Sequence, residues 1–288
     1  MFKDYYKAIL QYIAPKYGLS IYAGFCANLK IKRIKNRLIR KFIHKYGVNM
    51  HEALCEDYHD YVTYNDFFTR RLKPECRPIA NSTIISPVDG FISEFGEIKQ
   101  GKLIQAKGKY YSAKELLGFT AKSHDDISSQ FEHGYFATLY LSPKDYHRIH
   151  MPITGKLKEM TYVPGKLFSV QPATVRVIKC LFARNERLVV LFETTVGLMA
   201  MILVGAVIVG SIGTSWHGDL KRSRKLKKIT YSQNDTPEII LKKAEEMGYF
   251  KLGSTVILLF SNQTKLSWQP LIKPGDSIKF GEALAWTL

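Results

Sequence analysis

The sequence predicts an α+β protein in which N-terminal amphipathic helices precede a mainly antiparallel, β-rich domain of sandwich or barrel-hybrid character. Three observations point there. Residues 31–43 place Ile31, Ile34, Leu38, Ile39, Phe42 and Ile43 at helical spacing, with six Lys and Arg residues between them. Beyond residue 77 the texture changes to short apolar runs punctuated by Gly and Pro. Residues 194–217 are uncharged but contain Gly197, Gly205, Gly210 and Gly213 beside Val204, Val207, Ile208 and Val209. That mixture suits two buried strands and their turns better than one lipid-facing helix.

Residues 2–13, at the start of the chain, form an aromatic, interface-seeking stretch carrying Tyr5, Tyr6 and Tyr12, and Pro15 separates it from the next segment. The uncharged run 17–29 is too short to span a bilayer, and no small-residue cleavage site comes after it, so no cleaved signal peptide is expected. The basic helix over 31–43 stops at Gly47. A short helix near 64–72 and the loop 73–78 close a helical, basic region, 1–77, ahead of a β-rich domain, 78–288. Three segments, 87–92, 152–157 and 272–282, each read as a turn feeding a strand, a weak internal repeat of lipoyl-like hairpin type. A further helix is expected after Thr236 as N-cap, with Pro237 and Glu238 in the first turn and Gly248 past its end. It leads to Leu252-Gly253-Ser254-Thr255 and a buried strand over 256–260.

At 288 residues and 46% hydrophobic, the chain can close a substantial core, which excludes disorder. Its formal charge of +17 is uneven: residues 1–50 hold eleven Lys and Arg against the single acid Asp4. Such a segment seeks an anionic polymer or an anionic surface. The four cysteines, Cys26, Cys55, Cys76 and Cys180, are too scattered for a disulfide framework, consistent with a reducing compartment. The basic cluster at 221–228 reads as a solvated loop in preference to a second lipid contact.

Chemistry is concentrated in Tyr146-His147-Arg148-Ile149-His150-Met151-Pro152, which sets two histidines three apart. Histidine moves protons near neutrality. Alone, the pair also fits two structural histidines or a metal pair, though no further ligand recurs at a metal spacing. Asp89, in Pro87-Val88-Asp89-Gly90, is by itself an ordinary turn residue. Ser254, preceded by a glycine at the mouth of a strand, sits on a rigid support beside a residue free to adopt unusual backbone angles.

Together with Phe67-Phe68-Thr69-Arg70-Arg71-Leu72-Lys73-Pro74, Gln105-Ala106-Lys107-Gly108, the tract 181–187, Val204-Gly205-Ala206 and Leu252-Gly253-Ser254-Thr255, these segments resemble the proenzymes of the bacterial pyruvoyl-dependent phosphatidylserine decarboxylases over nearly the whole chain. The resemblance implies self-cleavage between Gly253 and Ser254 into chains 1–253 and 254–288, which stay together as a heterodimer or a dimer of heterodimers. It implies Ser254 as nucleophile, His150 as base, Asp89 completing the charge relay, and an N-to-O acyl shift followed by elimination that turns Ser254 into a covalently bound pyruvoyl group. It implies a Schiff base between that group and phosphatidylserine, loss of CO2, protonation by His147 and release of phosphatidylethanolamine, with no metal. It also implies a peripheral position on the cytoplasmic side of the cell membrane, with the basic helices on the anionic surface.

Other readings explain less. A nucleic-acid-binding module would use the basic patches and the 12% aromatic content but leaves Gly253-Ser254-Thr255 idle, so no nucleic acid is expected as a partner. A lipoyl-like carrier would need a lysine at a hairpin tip, where Lys273 instead precedes Pro274. A conventional serine hydrolase would carry G-x-S-x-G, which is absent around Ser254.

Overall fold

A computed structural model of the chain describes residues 11, 15–106, 108–119, 126–207, 211–231, 238–251 and 254–288. Two helices come first, α1 (Lys16–Ala27) and α2 (Lys32–Tyr46). Gly47 ends α2 in the left-handed region at φ 64° and returns its N–H to the Ile43 carbonyl at 2.8 Å, as expected of that glycine. Of the aromatic stretch 2–13 only residue 11 is among the described residues. A one-turn helix, α3 (Tyr64–Phe68), is capped by Thr63, whose hydroxyl accepts the Asp66 N–H at 3.0 Å.

The apolar stripe of α2 divides. Ile39, Phe42 and Ile43 pack on Val48, Tyr61 and Phe67, whereas Ile31, Ile34 and Leu38 are exposed together with Leu19, Ile21, Tyr22 and Phe25 of α1. Lys35 is buried with its ammonium on the carbonyls of His59 (2.7 Å) and Tyr61 (2.5 Å), which ties α2 to the segment before α3.

The remainder is β-rich. Its main sheet has nine strands, and six of them form the centre: β1 (Gly90–Glu97), β2 (Tyr135–Leu141), β4 (Gly155–Val163), β5 (Arg187–Thr194), β6 (Gly197–Val204) and β9 (Ser254–Phe260). Across the sheet the order is Lys227–Thr230, β4, β5, β6, β9, β2, β1 and Ser277–Ile278, with Ile240–Leu241 also on β4. A smaller sheet runs Gly218–Asp219, β7 (Ser211–Thr214), β8 (Glu246–Lys251) and β3 (Arg148–His150). Every strand ladder among the described residues is antiparallel. The architecture is therefore α+β as the sequence predicts.

β9 explains the apolar run at its level of the chain. All seven residues are buried, with Val256, Leu258 and Phe260 in one core and Ile257 and Leu259 in the other, so both faces of the sheet are covered. The expected strands within 194–217 are β6 and β7, although residues 208–210 lie outside the described set.

The helix expected after Thr236 is a correction. Thr236 and Pro237 lie outside the described residues, but Ile240–Leu241 pair with Lys156 and Gly155 of β4, and residues 246–251 are β8. Between them Ala244 stands at φ +69°, which no helix interior accepts. Tertiary pairing and burial of Leu241, Met247 and Phe250 override the local helical signal. Gly248 is accordingly a strand residue and not a helix stop. A Cβ there would lie 2.3 Å from the Gly213 carbonyl oxygen, so the absence of a side chain lets β7 and β8 close. The basic cluster at 221–228 is also only partly loop, since Lys227–Thr230 form an exposed edge strand on β4.

The close approach at Gly248 predicts that Gly248→Ala destabilises the full chain by about 1–3 kcal/mol, read by urea unfolding. A loss below about 0.5 kcal/mol would show that β7 can give way at little cost.

Candidate active site

Register brings the expected residues together. Ser254 opens β9 opposite Leu141, the last residue of β2. From Leu141 the chain turns through residues 142–146, closed by the Asp145 N–H to the Ser142 carbonyl (3.0 Å) and by the Ser142 N–H to the Asp145 carboxylate (2.7 Å). It then enters His147 and β3. β3 pairs with β8, the strand that leads toward Ser254, and the His147 carbonyl accepts the Phe250 N–H at 3.0 Å. β8, before the serine, therefore pairs with the strand that carries His150 and bonds the His147 carbonyl, while β9, after it, pairs with β2, whose end leads into His147. Leu252 and Gly253 lie outside the described residues.

Ser254 is fully buried, and among the described residues its hydroxyl has no partner. It lines a cavity of about 480 Å³ between the helices and the sheet, walled by Ala23, Cys26 and Ala27 of α1, Leu38, Phe42 and Tyr46 of α2, and Phe68, Tyr140, Val170 and Ala206. Lys41 and Lys45 add two cations to an otherwise apolar wall.

His147 is fully buried under Phe68, ring centroids 4.2 Å apart. Its Nδ1 lies 2.7 Å from the Asp145 carbonyl, which can only accept, so Nδ1 carries the proton and Nε2 keeps its lone pair. Among the described residues that Nε2 has no partner. Burial drives its pKa from the ordinary 6.5 to about 3, opposed by the Asp145 hydrogen bond and assisted by the nearby charge of Arg70.

His150 is held by a different set. Its Nδ1 donates to the Ala244 carbonyl at 2.9 Å, and its Nε2 accepts from the Tyr146 hydroxyl at 3.1 Å. Phe280 stacks on the ring at 3.8 Å and 15°. Burial lowers its pKa, against the Ala244 hydrogen bond and the nearby carboxylates Glu246 and Asp89. The left-handed kink at Ala244 thus turns a carbonyl onto the imidazole. Asp89 makes no hydrogen bond to His150. Its carboxylate takes Arg77 Nε at 2.9 and 3.2 Å, Arg77 Nη2 at 2.5 Å and the Phe280 N–H at 2.9 Å. Gly90 lets this segment lie on β2, because a Cβ there would meet the Tyr140 carbonyl at 2.3 Å.

Arg77, Tyr146, Ala244 and Phe280 are the supports that motif reading missed. Tyr146 lies inside the histidine tract and could have been flagged as a neighbour. The other three reach the site only through tertiary contacts.

A buried serine hydroxyl, two buried histidines and a largely apolar cavity with cations on its wall define a β-rich protein with a candidate active site. Comparison with known proteins gives that class its family. The sequence profile of the phosphatidylserine decarboxylase family matches residues 64–285, and a profile described as PSD matches residues 6–47. The chain is 55% identical over 285 residues to the phosphatidylserine decarboxylase proenzyme of Legionella pneumophila (strain Corby), covering 99% of each. It is 48% identical over 277 residues to that of Polaromonas naphthalenivorans, covering 96% of this chain and 94% of the relative. The Methylobacillus flagellatus proenzyme is 48% identical over 280 residues, with 97% and 98% covered. The chain belongs to the phosphatidylserine decarboxylase family of enzymes.

The burial of His147 sets a pH dependence of stability. Below its ordinary pKa of 6.5 the unfolded imidazole binds a proton that the folded one refuses until about pH 3, so stability falls as pH drops through that window. Between pH 6.5 and 5 this share is about 2 kcal/mol. In an uncut Ser254→Ala background, His147→Gln should therefore lose about that much less stability than the histidine form from pH 7 to pH 5. Parallel losses in the two forms, tracked by urea unfolding, would show that His147 is protonated in the folded chain.

Proposed function

We propose that this chain is a proenzyme that cuts itself between Gly253 and Ser254 and then decarboxylates phosphatidylserine to phosphatidylethanolamine at a membrane surface. The observation that carries the reading is the Ser254 hydroxyl, buried and unpartnered among the described residues, on the wall of a largely apolar cavity that α1 and the basic α2 also line.

For the cut, Ser254 Oγ adds to the Gly253 carbonyl and its proton goes to His150 Nε2. The tautomer for this is in place, since Ala244 holds the proton on Nδ1. Tyr146 occupies Nε2 in this state, so its hydroxyl moves aside as Ser254 engages. Asp89 favours the imidazolium through space. The peptide bond is exchanged for an ester, elimination frees the carboxylate of Gly253, and hydrolysis with loss of ammonia leaves a pyruvoyl group at position 254. The orphaned hydroxyl of Ser254 and the free Nε2 of His147 fit a group made at that position.

A pyruvoyl group supplies an electrophilic carbonyl and an electron sink. His147, neutral and with its lone pair on Nε2, is suited to take a proton from the substrate's ammonium and return it to the substrate's Cα after CO2 has left. The apolar wall accommodates acyl chains. Among the described residues no helix is long and apolar enough to cross a membrane. The exposed Ile21, Tyr22 and Phe25, beside the exposed Ile31 and Ile34 and the Lys and Arg residues of α2, support peripheral docking on anionic lipid. After the cut, chains 1–253 and 254–288 remain one body, because β9 pairs with β2 and β6 across the break.

Ser254→Ala, Asp89→Asn and His150→Ala should each leave a single chain of 33.0 kDa by denaturing intact mass, whereas His147→Ala should be cut yet decarboxylate poorly. An uncut His147→Ala chain would overturn this division of labour. Replacing Ile21 and Phe25 together by Glu should weaken partition onto phosphatidylserine-containing vesicles about tenfold or more. Unchanged flotation with vesicles would place the docking face elsewhere.

A further inference from the structure

Among the described residues three arginines are deeply buried, and two of them are fully engaged. Arg187 donates to the carbonyls of Leu116 (2.6 Å), Ala183 (2.7 Å), Asn185 (2.9 Å) and Glu115 (2.5 Å), using all three nitrogens. Arg77 likewise spends Nε, Nη1 and Nη2 on Asp89, the Cys76 carbonyl and Glu52. Arg70 does not. It is 5% exposed, gives one hydrogen bond, Nη2 to the Lys144 carbonyl at 3.1 Å, and lies over the Phe67 ring at 5.5 Å. Its Nε and Nη1 have no acceptor. A buried donor left without an acceptor forfeits the hydrogen bonds it made with water, at a greater cost when it is charged. Burial also works against its charge, with Tyr61, Asp89, Asp145 and Glu52 nearby favouring it. A fold that pairs its other buried guanidinium groups has left this one open.

The position of these open donors is specific. Arg70 and His147 are held by consecutive carbonyls of one turn, those of Lys144 and Asp145. They rest on consecutive rings, Phe67 and Phe68. His147 Nε2 is open as well, and Phe68 and Pro143 line the same cavity as Ser254. Resting on the decarboxylase reading above, we propose that Arg70 is the anion-recognition residue of the site, its open Nε–H and Nη1–H groups receiving the phosphodiester of the lipid headgroup.

Energetics select the phosphodiester over the carboxylate. The carboxylate leaves as neutral CO2, so a guanidinium on it would stabilise the ground state and slow the step. The phosphodiester keeps its charge throughout, and holding it leaves the chemical barrier unchanged. Guanidinium and phosphate are also well matched in hydrogen-bond geometry.

The test is direct binding to the uncut Ser254→Ala chain, which needs no turnover. The probes are short-chain phosphatidylethanolamine, which has the phosphate but no carboxylate, short-chain phosphatidylserine, and a short-chain diacylglycerol with neither. Arg70→Met should weaken both phospholipids by at least about tenfold and leave the diacylglycerol within about threefold, with Arg70→Lys intermediate. Loss for phosphatidylserine alone would put the carboxylate on Arg70 and overturn the assignment. Equal losses for all three lipids would reduce Arg70 to a structural role. If Arg70→Met does not fold, the chain with Arg70 intact decides: phosphatidylethanolamine must bind at least about tenfold tighter than the diacylglycerol, and equal affinities overturn the inference. Failure of the underlying reading looks different, since then none of the three lipids binds.

Discussion

The strand that begins at Ser254 is held on both edges, and the rest of the site is built from that constraint. β9 pairs with β2 through Ser254 opposite Leu141 and with β6 through Thr255 opposite Val204. A one-residue slip would exchange the residues feeding the two cores, each of which is closely filled, so the register is fixed by burial on both faces. Because Leu141 opposes Ser254, the turn that leads into His147 starts from the strand end that faces the serine. Because β3 lies on β8, His150 is brought alongside the segment that enters the serine from the other direction. The placement of Ser254, His147 and His150 relative to the strands thus follows from sheet register, and loops add only the last contacts.

Electrostatics in this buried region obey one pattern with one departure. Charges are placed where partners exist: Arg77 between Asp89 and Glu52, Lys35 on two carbonyls, Arg187 on four. Histidines are kept neutral by burial, with their tautomers set by carbonyl acceptors. Among the buried side-chain atoms of the described residues without a partner are Ser254 Oγ, on the cavity wall, and His147 Nε2 and two nitrogens of Arg70. The rings that support these last two residues, Phe68 and Phe67, are consecutive, and Phe68 lines that cavity. Preorganised groups with unmet hydrogen-bonding capacity are what a ligand can satisfy.

Much of this was legible in the sequence, for physical reasons. Periodicity and Gly47 located α2, and the glycine-broken, uncharged stretch 194–217 located β6 and β7, although of Val204, Val207, Ile208 and Val209 only Val204 lies in a described strand. Ser254, His147, His150 and Asp89 are singled out through the family resemblance, since alone the histidines fit structural roles and Asp89 an ordinary turn. The helix expected near 236–248 failed because Ile240, Leu241, Met247 and Phe250 answer to partners far away in the chain. Local capping signals carry no information about those partners. Ala244 could not be foreseen as the acceptor for His150, since any residue supplies a carbonyl and only the kink aims it. Arg77 and Phe280 escaped notice for the same reason, being ordinary residue types recruited by contact.

Phe280 ties the site to the end of the chain. Its ring covers His150 and its N–H binds Asp89, while Ser277–Ile278 pairs with β1 and Ala283–Thr287 pairs with Ile84–Ile85. These residues are synthesised after Ser254, yet they complete the apparatus proposed to cut the chain some thirty residues earlier. A nascent chain still lacking them has the nucleophile and the base but not their final arrangement. In the proposed reaction, then, this late segment acts as a completion check, and maturation waits until translation has passed it.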